Sequence, residues 1–158
     1  MRSVACVLST LTMLLVFSFA AAPAAQAGGP RMDRGERAVI KNINRARAAH
    51  GLRRMRPARR LARAADGHTR SMLRGNFFAH GSFAQRVRRY VRRGSIGETI
   101  AMTSRCSARR VVRMWLNSPS HRAVLLSRKF RRAGIGRRVG RMGAGRACVV
   151  TADFASRR

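Results

Sequence analysis

Groups able to move protons or hold metals are scarce in this 158-residue chain, which has four histidines and five acidic residues. Three of them, His80, Glu98 and His121, are candidates for one site. Two imidazoles and one carboxylate match the ligand count of a catalytic zinc centre that keeps a position open for water or substrate. In such a centre Glu98 would serve as ligand or as base in a metal-assisted hydrolysis. The three come from separate segments, so spacing alone does not bring them together. Each also has an ordinary explanation as a packed histidine or an ion-pair partner. Ser118 and Ser120 lie beside His121 as candidate nucleophiles. Both flank Pro119 at a helix break, where serine is a normal cap, and no G-x-S-x-G or S-x-x-K motif supports acyl transfer. His50 falls at a helix end, where an imidazole can meet exposed carbonyls, and His68 falls on an apolar helical stripe. Both are read as packing residues.

The elements that must position these groups follow from periodicity. Residues 36–50 predict a helix with Val39, Ile43 and Ala46 on one face, stopped at His50-Gly51. Pro57 is expected to start a second helix, where its missing N–H costs nothing, with Leu61, Ala65, His68 and Met72 on one stripe and Gly75 as the stop. Residues 76–81 form a loop carrying Phe77, Phe78 and His80. Ser82 and Gln85 have the spacing of a capping box for a third helix. Residues 96–102 read as a strand. Ser107 caps a fourth helix lined by Ala108, Val111, Val112 and Trp115 or Leu116, and residues 121–126 make a further helical turn. Two strands close the chain, over about 133–139 and 147–154, joined by a glycine-rich turn over 140–146. Helices followed by a terminal hairpin define an α+β domain.

Composition adds a compartment and a charge. Arg2, the apolar run from Val4 to Ala22 and the small-x-small site Ala25-Gln26-Ala27 predict a signal peptide over residues 1–27, followed by a short polar lead over 28–35. A retained anchor is the alternative. Ser9, Thr10, Thr12 and Ser18 dilute the apolar run and favour cleavage, which would leave no membrane-spanning segment. The protein is therefore expected to be secreted or otherwise extracytoplasmic, and monomeric. Cys106 and Cys148 are then the only cysteines of the exported chain, with no C-x-x-C pattern. They are expected to form a disulfide, with two free buried thiols as the alternative. The formal net charge is +30, nearly all from arginine. Such a field predicts nonspecific affinity for anionic polymers or anionic envelope surfaces. Little aromatic interleaving and no nucleic-acid motif argue against sequence-specific reading of nucleic acid.

Taken in order, Phe78-Ala79-His80, Gly97-Glu98-Thr99-Ile100-Ala101, Trp115-Leu116-Asn117-Ser118-Pro119-Ser120-His121-Arg122, Gly134-Ile135-Gly136 and Asp153-Phe154 resemble the CAP superfamily, also called the SCP or cysteine-rich secretory protein/antigen 5/pathogenesis-related 1 family, in its bacterial secreted branch. An N-x-x-R pattern in the first helix, Asn42 to Arg45 and echoed by Asn44 to Arg47, belongs to it. The resemblance makes residues 36–158 one CAP domain. It implies an α-β-α sandwich with a small antiparallel sheet between helical layers and an open cleft. In many members two histidines and two glutamates line that cleft and hold zinc or another divalent cation. Residue by residue, the histidines fall on His80 and His121 and the first glutamate on Glu98, while Ser118 stands where the second glutamate would be. Thr99 replaces the usual asparagine, and the loop after His80 is short. The resemblance implies a secreted protein whose cleft binds an unidentified ligand. The competing readings are a metal-assisted hydrolase using the same cleft and a polycationic polyanion-binding protein.

Overall fold

The structure is a computed structural model, described for residues 32–156; the expected signal peptide and most of the polar lead lie outside the described residues. The first helix, α1 (Arg34–Ala49), starts two residues earlier than its apolar pattern suggests. The cause is a capping box between Asp33, at the end of the expected lead, and Glu36. Asp33 accepts from the Glu36 N–H at 2.7 Å, and Glu36 accepts from the Asp33 N–H at 2.8 Å. Met32 is already buried in the core, so the end of the lead belongs to the domain.

Pro57 does not open a helix. It lies in a two-residue strand, β1 (Arg56–Pro57), paired parallel to the start of the third strand. The N–H groups on either side of it bond across, Arg56 to the Arg131 carbonyl at 2.9 Å and Ala58 to the Ala133 carbonyl at 2.8 Å. The ladder thus makes no demand on the residue that lacks a donor. Helix α2 (Arg59–Gly75) follows and ends on Asn76 in the left-handed conformation. In the short α3 (Phe83–Arg88) the expected capping box is not made: the Ser82 side chain forms no capping bond, and the start is held by backbone alone.

The remaining elements are β2 (Ile96–Thr103), α4 (Ala108–Asn117), α5 (Pro119–Leu125), β3 (Arg132–Met142) and β4 (Gly145–Ala155). Ser107 caps α4 as expected, and Pro119 occupies the first turn of α5. The hairpin strands run further than predicted. Met142 pairs with Gly145, so the expected seven-residue turn shrinks to Gly143 and Ala144, with Gly143 supplying the positive φ. Gly140 and Gly145 are strand residues rather than turn residues.

The strand order is β1-β3-β4-β2, antiparallel except for the parallel β1 edge, so the sheet is mixed rather than purely antiparallel. Alternation along β4 sends Cys148, Val150, Ala152 and Phe154 into a core shared with α1, α4 and α5, where Trp115 is fully buried. The intervening Val149 and Ala155 pack with residues of α2 and the α3 region. Helical layers therefore cover both faces, and the domain is α+β. Gly134 and Gly136 on β3 allow the α2 layer to come close: a Cβ at either position would run into the backbone of α2 at Leu61–Ala62 or Ala65–Asp66. Cys106 and Cys148 form a disulfide, with Cα atoms 5.3 Å apart, that ties the segment before α4 to β4.

Candidate functional site

The site assembles around Glu98 on β2. Its antiparallel partner in the ladder is Asp153 on β4. Opposite residues of such a pair project to the same side of the sheet, so the two carboxyls are neighbours. The Glu98 side chain is 1% exposed, and both of its oxygens are taken. The Nδ1 atom of His80 lies 2.8 Å from Oε1, and the Arg86 guanidinium donates to Oε2. Arg86 also donates to the His80 backbone carbonyl at 3.4 Å, joining the loop to α3. The His80 side chain is 46% exposed. One edge of its ring is anchored inside while the rest faces solvent.

Asp153 is fully buried, and neither of its oxygens has a donor within reach. Burial first, and the adjacent Glu98 charge second, push its carboxyl well above the usual range, although Arg86 pulls the other way. Both effects favour the protonated form, which can donate an O–H to the facing Glu98. The cluster brings together one guanidinium, two facing carboxyl groups and one imidazole.

His68 supports this arrangement from α2. Its Nε2 is 3.0 Å from the carbonyl of Ala79, the residue before His80, and its ring lies 6.2 Å from that of Phe77. Burial, then the Arg86 charge, lowers its pKa, so the neutral ring is favoured. A neutral His68 donates from Nε2 to the carbonyl. Expected only as packing, it also holds the loop that presents His80. His50 bonds the Ala46 carbonyl at 2.8 Å, as a helix-end imidazole would.

His121 sits half-buried on α5; burial, then the nearby His80 charge, lowers its pKa. It is close enough to sense His80, but among the described residues no hydrogen bond or ion pair links it to His80 or Glu98. Ser118 lies 3.4 Å from Ser120, oxygen to oxygen, and neither bonds His121. The structure thus joins His80 to Glu98, leaves His121 and Ser118 outside the hydrogen-bonded cluster, and adds Arg86 and Asp153. Arg86 was indistinguishable from 32 other Arg residues by type; Asp153 was visible in its motif, but its facing partner is a matter of strand register.

A divalent cation fits this arrangement poorly. The guanidinium already lies on the carboxylate that would bind it. Among the described residues no group of three or more His, Cys, Asp or Glu is placed to hold a metal ion.

A mixed sheet between helical layers, with a histidine and a glutamate meeting beside its outer strand, defines an SCP-type domain. The model of the cysteine-rich secretory protein family matches residues 40–154, and the chain belongs to that family, CAP. An extracellular protein of Bacillus anthracis containing an SCP domain is 25% identical, with a TM-score of 0.65 over 78% of this chain and 40% of that one. An outer surface protein of Borrelia burgdorferi shares the fold at 21% identity and a TM-score of 0.66, over 82% of this chain and 99% of that one. A cysteine-rich secretory protein of Staphylococcus aureus does so at 16% identity and 0.62, over 78% and 38%. The chain therefore spans about 40% of the Bacillus protein's length. Comparison with curated protein sequences finds no match.

Proposed function

We propose that this protein is an exported CAP domain that binds a polar ligand at the His80–Arg86–Glu98 cluster without the help of a divalent cation. The observation that carries the reading is the double engagement of Glu98 by His80 and Arg86. With Glu98 ionised against the guanidinium, the contacting Nδ1 of His80 must be the donor. A neutral His80 then presents an Nε2 lone pair, able to accept from a ligand hydroxyl; protonated, the same atom donates to an anion. Export is supported by the signal-like N-terminus, by the disulfide, and by structural neighbours named as extracellular or outer-surface proteins. Among the described residues no helix is long and apolar enough to cross a membrane.

The hydrolase reading would need a cation at Glu98 or a nucleophile paired with His121. Arg86 takes the first place, and the serines beside His121 bond to each other.

Nitrogen NMR of the His80 ring tests the proposal. The expected spectrum at slightly alkaline pH has hydrogen on Nδ1 and none on Nε2, and stays unchanged when zinc is titrated in. Stoichiometric zinc uptake that shifts the His80 ring and is lost in His80→Ala would overturn it.

A further inference from the structure

A groove of about 900 Å³ opens between α1, the connection over residues 51–55, β1 and the start of β3. It shares no lining residue with the His80 cluster. Seven of its eleven lining residues are Arg or Lys, against 35 of 158 in the whole chain, and none is acidic. General enrichment in arginine does not account for that concentration.

The acids are committed elsewhere. Asp33 pairs with Arg137, Asp66 with Arg70 and Arg138, and Glu98 with His80 and Arg86. Glu36 closes the α1 cap, and Asp153 is sealed inside. Among the described residues, no carboxylate forms an ion pair with any of the seven groove cations. Gathering them costs repulsion that no ion pair among the described residues offsets.

The groove is also held in shape. Asn44, buried on α1, bonds Met55 twice, donating to its carbonyl at 2.9 Å and accepting from its N–H at 2.8 Å. Arg47, fully buried, donates to the Arg53 carbonyl at 2.9 Å. The backbone that carries Arg53, Arg54 and Arg56 is therefore pinned by two interior side chains, beside a groove that Arg37 and Lys41 also line. A preorganised surface loses less on binding than a mobile loop.

The geometry points to this groove as a binding site for an extended anionic glycan, a sugar chain bearing carboxylate or phosphate groups at intervals. Its cations are spread along the rim and are mostly exposed, which suits repeated charges rather than one seated ion. Pro57, which is exposed, gives with the arginine stems an apolar surface on which the uncharged body of a sugar ring can rest. No aromatic side chain lines the groove, so the bases of single-stranded nucleic acid find no stacking platform there.

The test compares two charge reversals of equal size. Arg53→Glu with Arg54→Glu alters the groove; Arg109→Glu with Arg113→Glu alters an exposed face of α4 instead. Binding of labelled polygalacturonate is read by anisotropy at physiological ionic strength. The expected result is at least about a tenfold greater loss of affinity for the groove pair. The milder Arg53→Gln with Arg54→Gln should lose less but still exceed the α4 pair. Equal losses for both reversals would reduce the effect to net charge and overturn the site. Sugar-free polyphosphate or poly(dT) binding more tightly than the glycan, with the same dependence on Arg53 and Arg54, would overturn the glycan as occupant. A phosphorylated glucan run beside polygalacturonate decides which anion the groove prefers.

Discussion

The residue that decides the chemistry of the cluster is Arg86. Its guanidinium pairs with the almost wholly covered Glu98 carboxylate. Replacing it, as in Arg86→Ala, strands that charge beside Asp153, and a loss of about 3 kcal/mol in denaturant unfolding is expected. Asp153 carries a distinct signature in pH. Its pKa is raised in the folded protein, so the unfolded carboxyl ionises near 3.8 while the folded one keeps its proton. Stability contributed by this group is full below about 3.8 and declines as pH rises toward the folded value. Asp153→Asn removes that decline and keeps a donor for Glu98. The variant should therefore gain stability relative to the parent as pH is raised from about 4 to 7, measured by urea midpoints. Of this cluster, His80 and Glu98 were legible in sequence through their motifs. Arg86 was not, because one arginine among many carries no mark. The raised pKa of Asp153 follows from its burial first and from the Glu98–Asp153 register second.

At the scale of elements, the first helix shows how a motif can be read in the wrong phase. Asn42 and Arg45 match the N-x-x-R spacing as well as Asn44 and Arg47 do. Only the second pair turns inward. Asn42 bonds back to the Ala38 carbonyl of its own helix, and Arg45 is exposed. Arg47 instead reaches four carbonyls, of Arg53, Leu125, Ser127 and Phe130, with no carboxylate among its partners. Burial, then Arg131, lowers its pKa. It joins α1, the following connection, the end of α5 and the approach to β3. Arg47→Ala should cost about 3 kcal/mol or more by leaving buried acceptors unpaired, whereas Arg45→Ala should change stability by less than about 0.5 kcal/mol. The other misreadings have the same origin. Pro57 suits a helix start and an edge strand equally by its missing N–H. Gly140 and Gly145 look like turn residues until the pairing of Met142 with Gly145 is known. Helix identities and the terminal hairpin followed from apolar periodicity, and the antiparallel sheet was implied by the family resemblance; the choice between two locally valid conformations required the long-range partner.

Over the whole molecule, two features oppose each other. The net charge of +30 favours expansion, and the Cys106–Cys148 bond, spanning 42 residues of sequence, restricts it. Reduction should destabilise the domain by roughly 4 kcal/mol in the chain-entropy account, and the intact mass should rise by about two hydrogens. Screening should act in the other direction. Raising sodium chloride from about 0.02 to 0.5 M shortens the reach of arginine repulsion, and Tm is expected to increase. A Tm that falls with salt would mean that the few ion pairs outweigh the unpaired cations. The α+β class was legible because helix and strand periods survive any surface composition, and the sandwich was implied by the resemblance to the CAP family. The distribution of charge was not, since exposed arginines follow no period.

Gly134 and Gly136 have a bearing on how this chain can vary. Arginine fills the exposed positions of nearly every element, and the fold accommodates it. Where β3 lies against α2 there is no space for even a methyl group. In a library that randomises the chain and selects for folded protein, these two positions should accept no substitute, while the exposed Arg138 and Val139 nearby should admit a wider set. The seam between α2 and β3 is thus a fixed reference against which the rest of the surface is free to change its chemistry.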